Sequence, residues 1–144
     1  MSTISRTFTS FVCFNLRIAM KKMDRVLGSL LEEFNITAPQ SFVLFCLLEE
    51  DGMTLKEVGT KAMIDSSSMT VLVDKLESEN LVQRRLDPDD RRAIRVFLTK
   101  EGKNLAERAL ETGHQFNNYV LGFIPAEDQE AFMEGLEAVV RNVE

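Results

Sequence analysis

Arg91 and Arg92 follow directly on Asp87-Pro88-Asp89-Asp90, and this juxtaposition is the clearest chemistry the chain offers. The aspartates and proline form turns, so they predict a reversal between two strand-like pieces, Val82–Leu86 and Ile94–Leu98. A β-ribbon with arginines at or near its tip has the shape and charge to enter a DNA groove. Within residues 81–103, Arg84, Arg85, Arg91, Arg92, Arg95, Lys100 and Lys103 stand against Asp87, Asp89, Asp90 and Glu101, a local balance of +3 in a chain of net charge −6. A positive patch on an acidic background marks a phosphate-facing surface better than total charge does. A solvated hairpin carrying ordinary surface arginines is the alternative the same residues allow.

Other chemistry is thin. Hydrolytic or nucleophilic catalysis needs a nucleophile with a base and an orienting group, yet the chain has one histidine, His114, and no G-x-S-x-G or Gly-rich phosphate loop. His114 reads as a helix-surface or interface residue. His/Cys clusters with zinc spacing are absent, so no enzyme activity, metal or cofactor is expected. Cys46 lies in the apolar run Phe42-Val43-Leu44-Phe45-Cys46-Leu47-Leu48 and reads as core, while Cys13 is either a small buried hydrophobe or a reactive thiol.

The elements that must position the arginines are legible upstream. Thr54-Leu55-Lys56-Glu57 is a capping box that starts a short helix running to about Lys61. Ala62-Met63-Ile64 follows as a turn, and Asp65 caps a second helix over residues 66–79. Helix, tight turn, helix, ribbon is the order of a winged helix-turn-helix. On the second helix, Met69, Leu72, Val73 and Leu76 recur at core spacing. That leaves Ser66, Ser67, Ser68, Thr70, Val71, Asp74 and Lys75 outside. Hydroxyls at a helix start suit phosphates or base edges, or else simply cap the helix, and Val71 suits a thymine methyl. Few bases lie on this helix, so phosphate neutralisation falls to the ribbon, Lys56, Lys61 and Lys75.

Asp65-Ser66-Ser67-Ser68-Met69-Thr70, Lys75-Leu76-Glu77, Asn80-Leu81-Val82, Asp87-Pro88-Asp89-Asp90-Arg91-Arg92 and Leu98-Thr99-Lys100-Glu101-Gly102 together resemble the MarR family of bacterial transcriptional regulators. The resemblance spans nearly the whole chain. It implies a mainly α fold with a small β-wing (α+β), a winged helix-turn-helix with N- and C-terminal dimerisation helices. It further implies that Arg92 at the wing tip reaches the minor groove and that Asp90 helps to hold the wing by pairing with a nearby base. The DNA-binding set is then Ser66, Ser67, Ser68, Thr70, Val71, Lys75, Arg84, Arg91, Arg92 and Arg95. Val12-Cys13-Phe14-Asn15-Leu16 and Asn35-Ile36-Thr37-Ala38-Pro39-Gln40 resemble the organic-peroxide-sensing branch, in which Cys13 would be the sensor. The tyrosines that hold the thiolate in that branch fall at Leu27 and Ala38, so this chain lacks them.

One domain is expected over residues 1–144, with dimerisation helices over about 1–35 and 104–144 and the winged core over about 38–99. Residues 8–34 read as one long helix with Leu16, Met20, Met23, Leu27, Leu30 and Phe34 near a 3.5-residue repeat, and Phe11, Val12, Phe14, Ile18 and Ala19 elsewhere around it. Thr99 starts a further helix, and Pro125 precedes one striped by Phe132, Leu136, Val139, Val140 and Val143. Two such greasy ends call for a homodimer or an intramolecular bundle. Residues 104–144 hold eight acids and two bases, which turns them away from DNA. No apolar run reaches membrane-span length, residues 1–6 lack the apolar stretch of a secretory signal, and two cysteines make no disulfide framework, so a cytoplasmic protein is expected. The expected function is a ligand-responsive repressor, a homodimer on an inverted-repeat operator of double-stranded DNA, with a small aromatic or phenolic ligand as effector. The alternatives are a thiol-based redox repressor acting through Cys13, and a winged-helix interaction module that does not bind DNA.

Overall fold

A computed structural model describes residues 7–144; residues 1–6, read above as lacking a secretory signal, lie outside them. Two compact units form, one reaching to Leu110 and one over Glu111–Glu144. The first contains α1 (Val12–Leu31), α2 (Ala38–Glu49), β1 (Met53–Thr54), α3 (Leu55–Ala62), α4 (Ser66–Ser78), β2 (Val82–Leu86), β3 (Ile94–Leu98) and the start of α5 (Lys100–Leu121). The second contains the end of α5 and α6 (Ala126–Asn142). Among the described residues no helix is long and apolar enough to cross a membrane.

The single long helix expected over residues 8–34 is corrected to three pieces. A 3-10 turn at Phe8–Ser10 precedes α1 and another at Glu32–Phe34 follows it. Phe11 is extended (ψ 140°) and has no capping oxygen to offer, while the Asn15 amide donates back to the carbonyls of Thr9 and Phe11, each at 2.9 Å. At the far end Asn35 takes the left-handed conformation that short polar side chains tolerate (φ 56°) and stops the chain.

Each helix of the winged core starts on a side-chain cap. Thr37 and Gln40 form a reciprocal capping box for α2, and Thr54 and Glu57 form one for α3 at 3.1 Å in both directions. Gly59 lets α3 lie close to the turn that follows it and to α4, since a Cβ there would stand 2.8 Å from the Ile64 carbonyl oxygen and 3.1 Å from the Met69 side chain. The chain turns between them on Met63 in the left-handed region (φ 57°). Leu31, Val43, Leu44, Leu47, Val58, Met69, Val73, Leu76, Val82 and Val96 are fully buried and form one core, with Leu72 packed against it.

The sheet order is β1-β3-β2, antiparallel throughout. β2 and β3 pair from Val82 with Leu98 to Leu86 with Ile94, so the expected ribbon is present, while β1, which the sequence did not announce, adds Met53 opposite Val96. In the second unit the Gln129 side chain donates to the Leu121 and Ile124 carbonyls at 3.0 and 3.1 Å, closing the turn before α6.

Candidate nucleic-acid interface

The ribbon tip is built on Asp87. Its carboxylate accepts the main-chain N–H of Asp89 at 2.8 Å and of Asp90 at 3.3 Å, which is the turn geometry an Asp before Pro favours. The other oxygen receives Arg95 Nε at 2.7 Å, and Arg95 Nη1 donates on to the Gly52 carbonyl at 2.8 Å. The Asp89 amide and the Arg95 guanidinium hold the Asp87 carboxyl below the usual carboxylate range. The expected pairing of Asp90 with a nearby base is corrected: its carboxylate accepts the Arg92 main-chain N–H at 3.0 Å, and the ion pair of the ribbon belongs to Asp87. The sequence marks Asp87 only as a turn former, because Arg95, its ion-pair partner, lies eight residues on and meets it only across the closed ribbon.

Two arginines assigned above to DNA are spent inside the fold. Arg95 is tied to Asp87 and Gly52 as described. Arg84 pairs with Asp74 at 2.6 Å and Glu77 at 3.0 Å, and its main-chain N–H donates to Glu77 at 2.8 Å. That main-chain bond, with the guanidinium beside it, pushes the Glu77 carboxyl down, while Glu77 and Asp74 raise the Arg84 pKa. The carboxylate that Asp74 adds to the outer face of α4 is thereby neutralised. Arg85 lies 4.7 Å over the Phe97 ring. Arg91 and Arg92 are exposed and form no ion pair among the described residues.

On α4 the serines divide. Asp65 caps the helix by accepting the Ser68 N–H at 2.8 Å and also takes the hydroxyls of Ser67 at 2.7 Å and Ser68 at 3.0 Å. These bonds, led by the Ser67 hydroxyl, lower the Asp65 pKa to about 2. Ser67 and Ser68 are therefore capping residues whose protons point to Asp65, a correction to their reading as donors toward DNA. Thr70 donates to the Ser66 carbonyl at 3.1 Å. Val71 is 68% exposed, and Ser66 and Lys75 are exposed.

An open cleft of about 860 Å³ brings these parts together: Lys56 and Thr60 of α3, Ser66 and Thr70 of α4, and Asp90 and Arg92 of the wing share its walls. Lys61, one of the expected phosphate partners, is instead paired with Glu49, which raises its pKa. Cys13 is exposed on the first turn of α1, which corrects its reading as a buried hydrophobe, whereas Cys46 is buried and its thiol pushed up by that burial. His114 is exposed on α5, and no cluster able to hold a metal occurs among the described residues.

A helix-turn-helix whose second helix and β-wing flank one cleft defines a winged-helix protein. The chain belongs to the MarR family: the family's model matches residues 36–94. It is 31% identical over 100 residues to the organic hydroperoxide resistance transcriptional regulator of Bacillus subtilis (strain 168), covering 69% of this chain and 68% of that one. It is 36% identical over 100 residues to the HTH-type transcriptional regulator TtmR of Methylorubrum extorquens (strain PA1), spanning 69% of this chain and about half, 51%, of that relative's length. Its fold matches that of MepR from S. aureus, solved as a DNA complex, with a TM-score of 0.85 at 21% identity over 92% of this chain and 98% of that one.

Proposed function

We propose that this chain is a sequence-specific transcriptional regulator that binds double-stranded DNA as a homodimer, in the cytoplasm, on an inverted repeat. The observation that carries the reading is the shared cleft, which sets Arg92 of the wing opposite Ser66 and Thr70 of α4 with Lys56 beside them. Thr70 keeps lone pairs for base donors, Val71 suits a thymine methyl, and Lys75, Arg91 and Arg92 suit phosphates and the minor groove. Ser66 keeps its hydroxyl for either, while Ser67, Ser68 and Asp90 hold the contacting parts in place. Residues about 38–99 form the DNA-binding core, and about 1–35 and 104–144 form the dimer. Family likeness adds a small aromatic or phenolic ligand as effector and repression as the default mode. MepR, of the same fold, was solved as a DNA complex, which supports the duplex-DNA reading.

The test is equilibrium binding to a duplex selected by the protein from a randomised pool, across a salt series. Affinity should fall steeply with salt, Lys75→Ala should flatten the slope by about 0.9 unit, and Arg92→Ala should cost about 1–3 kcal/mol. A protein that retains no duplex at low salt is an interaction module instead.

A second reading rests on one observation, the exposure of Cys13. In it, an organic hydroperoxide oxidises the thiol and releases DNA. Cys13→Ser should then bind the selected duplex normally and stay bound under hydroperoxide; equal behaviour of wild type and variant removes this reading.

A further inference from the structure

Arg84 joins the middle of β2 to two carboxylates of α4, Asp74 and Glu77, which lie three residues apart and so on one helix face. The main-chain N–H of Arg84 donates to Glu77 as well, so strand backbone and side chain are fixed to the same helix. A guanidinium is planar and holds its donors in a rigid fork, which makes such a joint directional where an ammonium would swivel. Arg84 stands opposite Val96 in the ladder, and the ribbon carries that position outward to its tip. There Arg92 shares the cleft with Ser66 and Thr70, residues of the helix to which Arg84 is tied. The second joint, from Asp87 through Arg95 to the Gly52 carbonyl, fixes the far end of the ribbon to the turn before β1. The ribbon is thus held at two levels, and the Arg84 joint is the one that reaches α4.

We propose that Arg84 is a positioning residue: it sets the separation between the wing tip and α4, and acts on DNA through Arg92 without touching DNA. This rests on the duplex-DNA reading above. Arg84 and Arg92 are on the order of 13 Å apart along the ribbon, and independent sites at such separations contribute additively. Positioning makes the opposite demand, because once the joint is lost Arg92 has no fixed place from which to contribute.

The experiment is a double-mutant cycle on the duplex selected by the wild-type protein, read as equilibrium affinity, with thermal melting of each variant alongside. One corner is Arg84→Met combined with Asp74→Asn, which preserves net charge and leaves Glu77, still accepting the main-chain N–H of residue 84, as the one carboxylate of the joint; the other is Arg92→Ala. Each should lose about 10-fold or more in affinity, and the combined variant should lose no more than about 3-fold beyond the weaker of the two. Combined losses that multiply would overturn the proposal, as would an Arg84→Met/Asp74→Asn protein that binds like wild type. Should that variant not fold, Arg84→Lys, which keeps a charge but not the fork, takes its place in the cycle under the same criteria. Wild-type protein that binds no duplex would overturn the DNA reading, and is distinguished from failure of the joint by the wild-type measurement alone.

Discussion

Asp65 illustrates how much one side chain at a helix start can organise. Its carboxylate caps α4 and fixes two serine hydroxyls, and its pKa is lowered to about 2 by those bonds. The unfolded chain would carry this group near 3.9, so the folded state prefers the ionised form. The stabilisation is fully present above about pH 4 and is lost as pH falls through about 2. Asp65→Asn keeps a capping oxygen without the charge. The stability difference between wild type and this variant in urea should therefore be constant from neutral pH to about 4 and shrink below it. A difference that stays constant down to pH 2 would show that the serines hold the oxygen and not the charge.

At the scale of elements, the start of α5 is pressed against the turn that ends α4. A Cβ at Gly102 would stand 1.8 Å from the Leu81 carbonyl oxygen, which is backbone and cannot step aside. Thr99 bonds the same turn: its hydroxyl donates to the Asn80 carbonyl at 2.7 Å and accepts the Gly102 N–H at 2.9 Å. Any displacement of this helix start must then reach α4 and β2 together. Gly102→Ala should destabilise the protein by about 3 kcal/mol, read as a lowered urea midpoint with unchanged m-value. A midpoint within error of wild type would mean that the joint yields without cost.

For the whole molecule, the apolar residues left uncovered argue for a second copy. Val12 is 65% exposed in the first unit, and in the second Val140 is 78% and Phe123 71% exposed. Few monomers leave such faces to water, and a two-fold interface would cover the same residues on each subunit. Sedimentation at micromolar concentration should give a dimer, and removal of residues 132–144 should give a monomer or an aggregate with weak DNA affinity. A monomeric full-length chain would sink the inverted-repeat assignment, since two recognition helices about 10 bp apart require two subunits.

Local chemistry was enough to place the caps at Thr54 and Asp65, the ribbon from Val82 to Leu98, the start of α5 after Thr99 and the buried face Met69, Val73 and Leu76. Each is a matter of spacing between residues a few positions apart, which the sequence states directly. The partners of the arginines were a different matter. Arg84, Arg91, Arg92 and Arg95 are alike as letters, yet two are tied to carboxylates and two stand in solvent. Gly52 lies 43 residues from the Arg95 it accepts. Asp74 comes within reach of Arg84 only when the turn at Asn80 folds β2 back along α4. The break at Phe11 and the exposure of Cys13 were equally hidden, because apolar periodicity continues through a residue that leaves the helix and does not say which apolar faces find cover within one chain. Sequence settled the capped helices and the ribbon of the winged core; tertiary structure decided β1 and which charges remain free, because strands and charges pair through distances that only the closed fold creates.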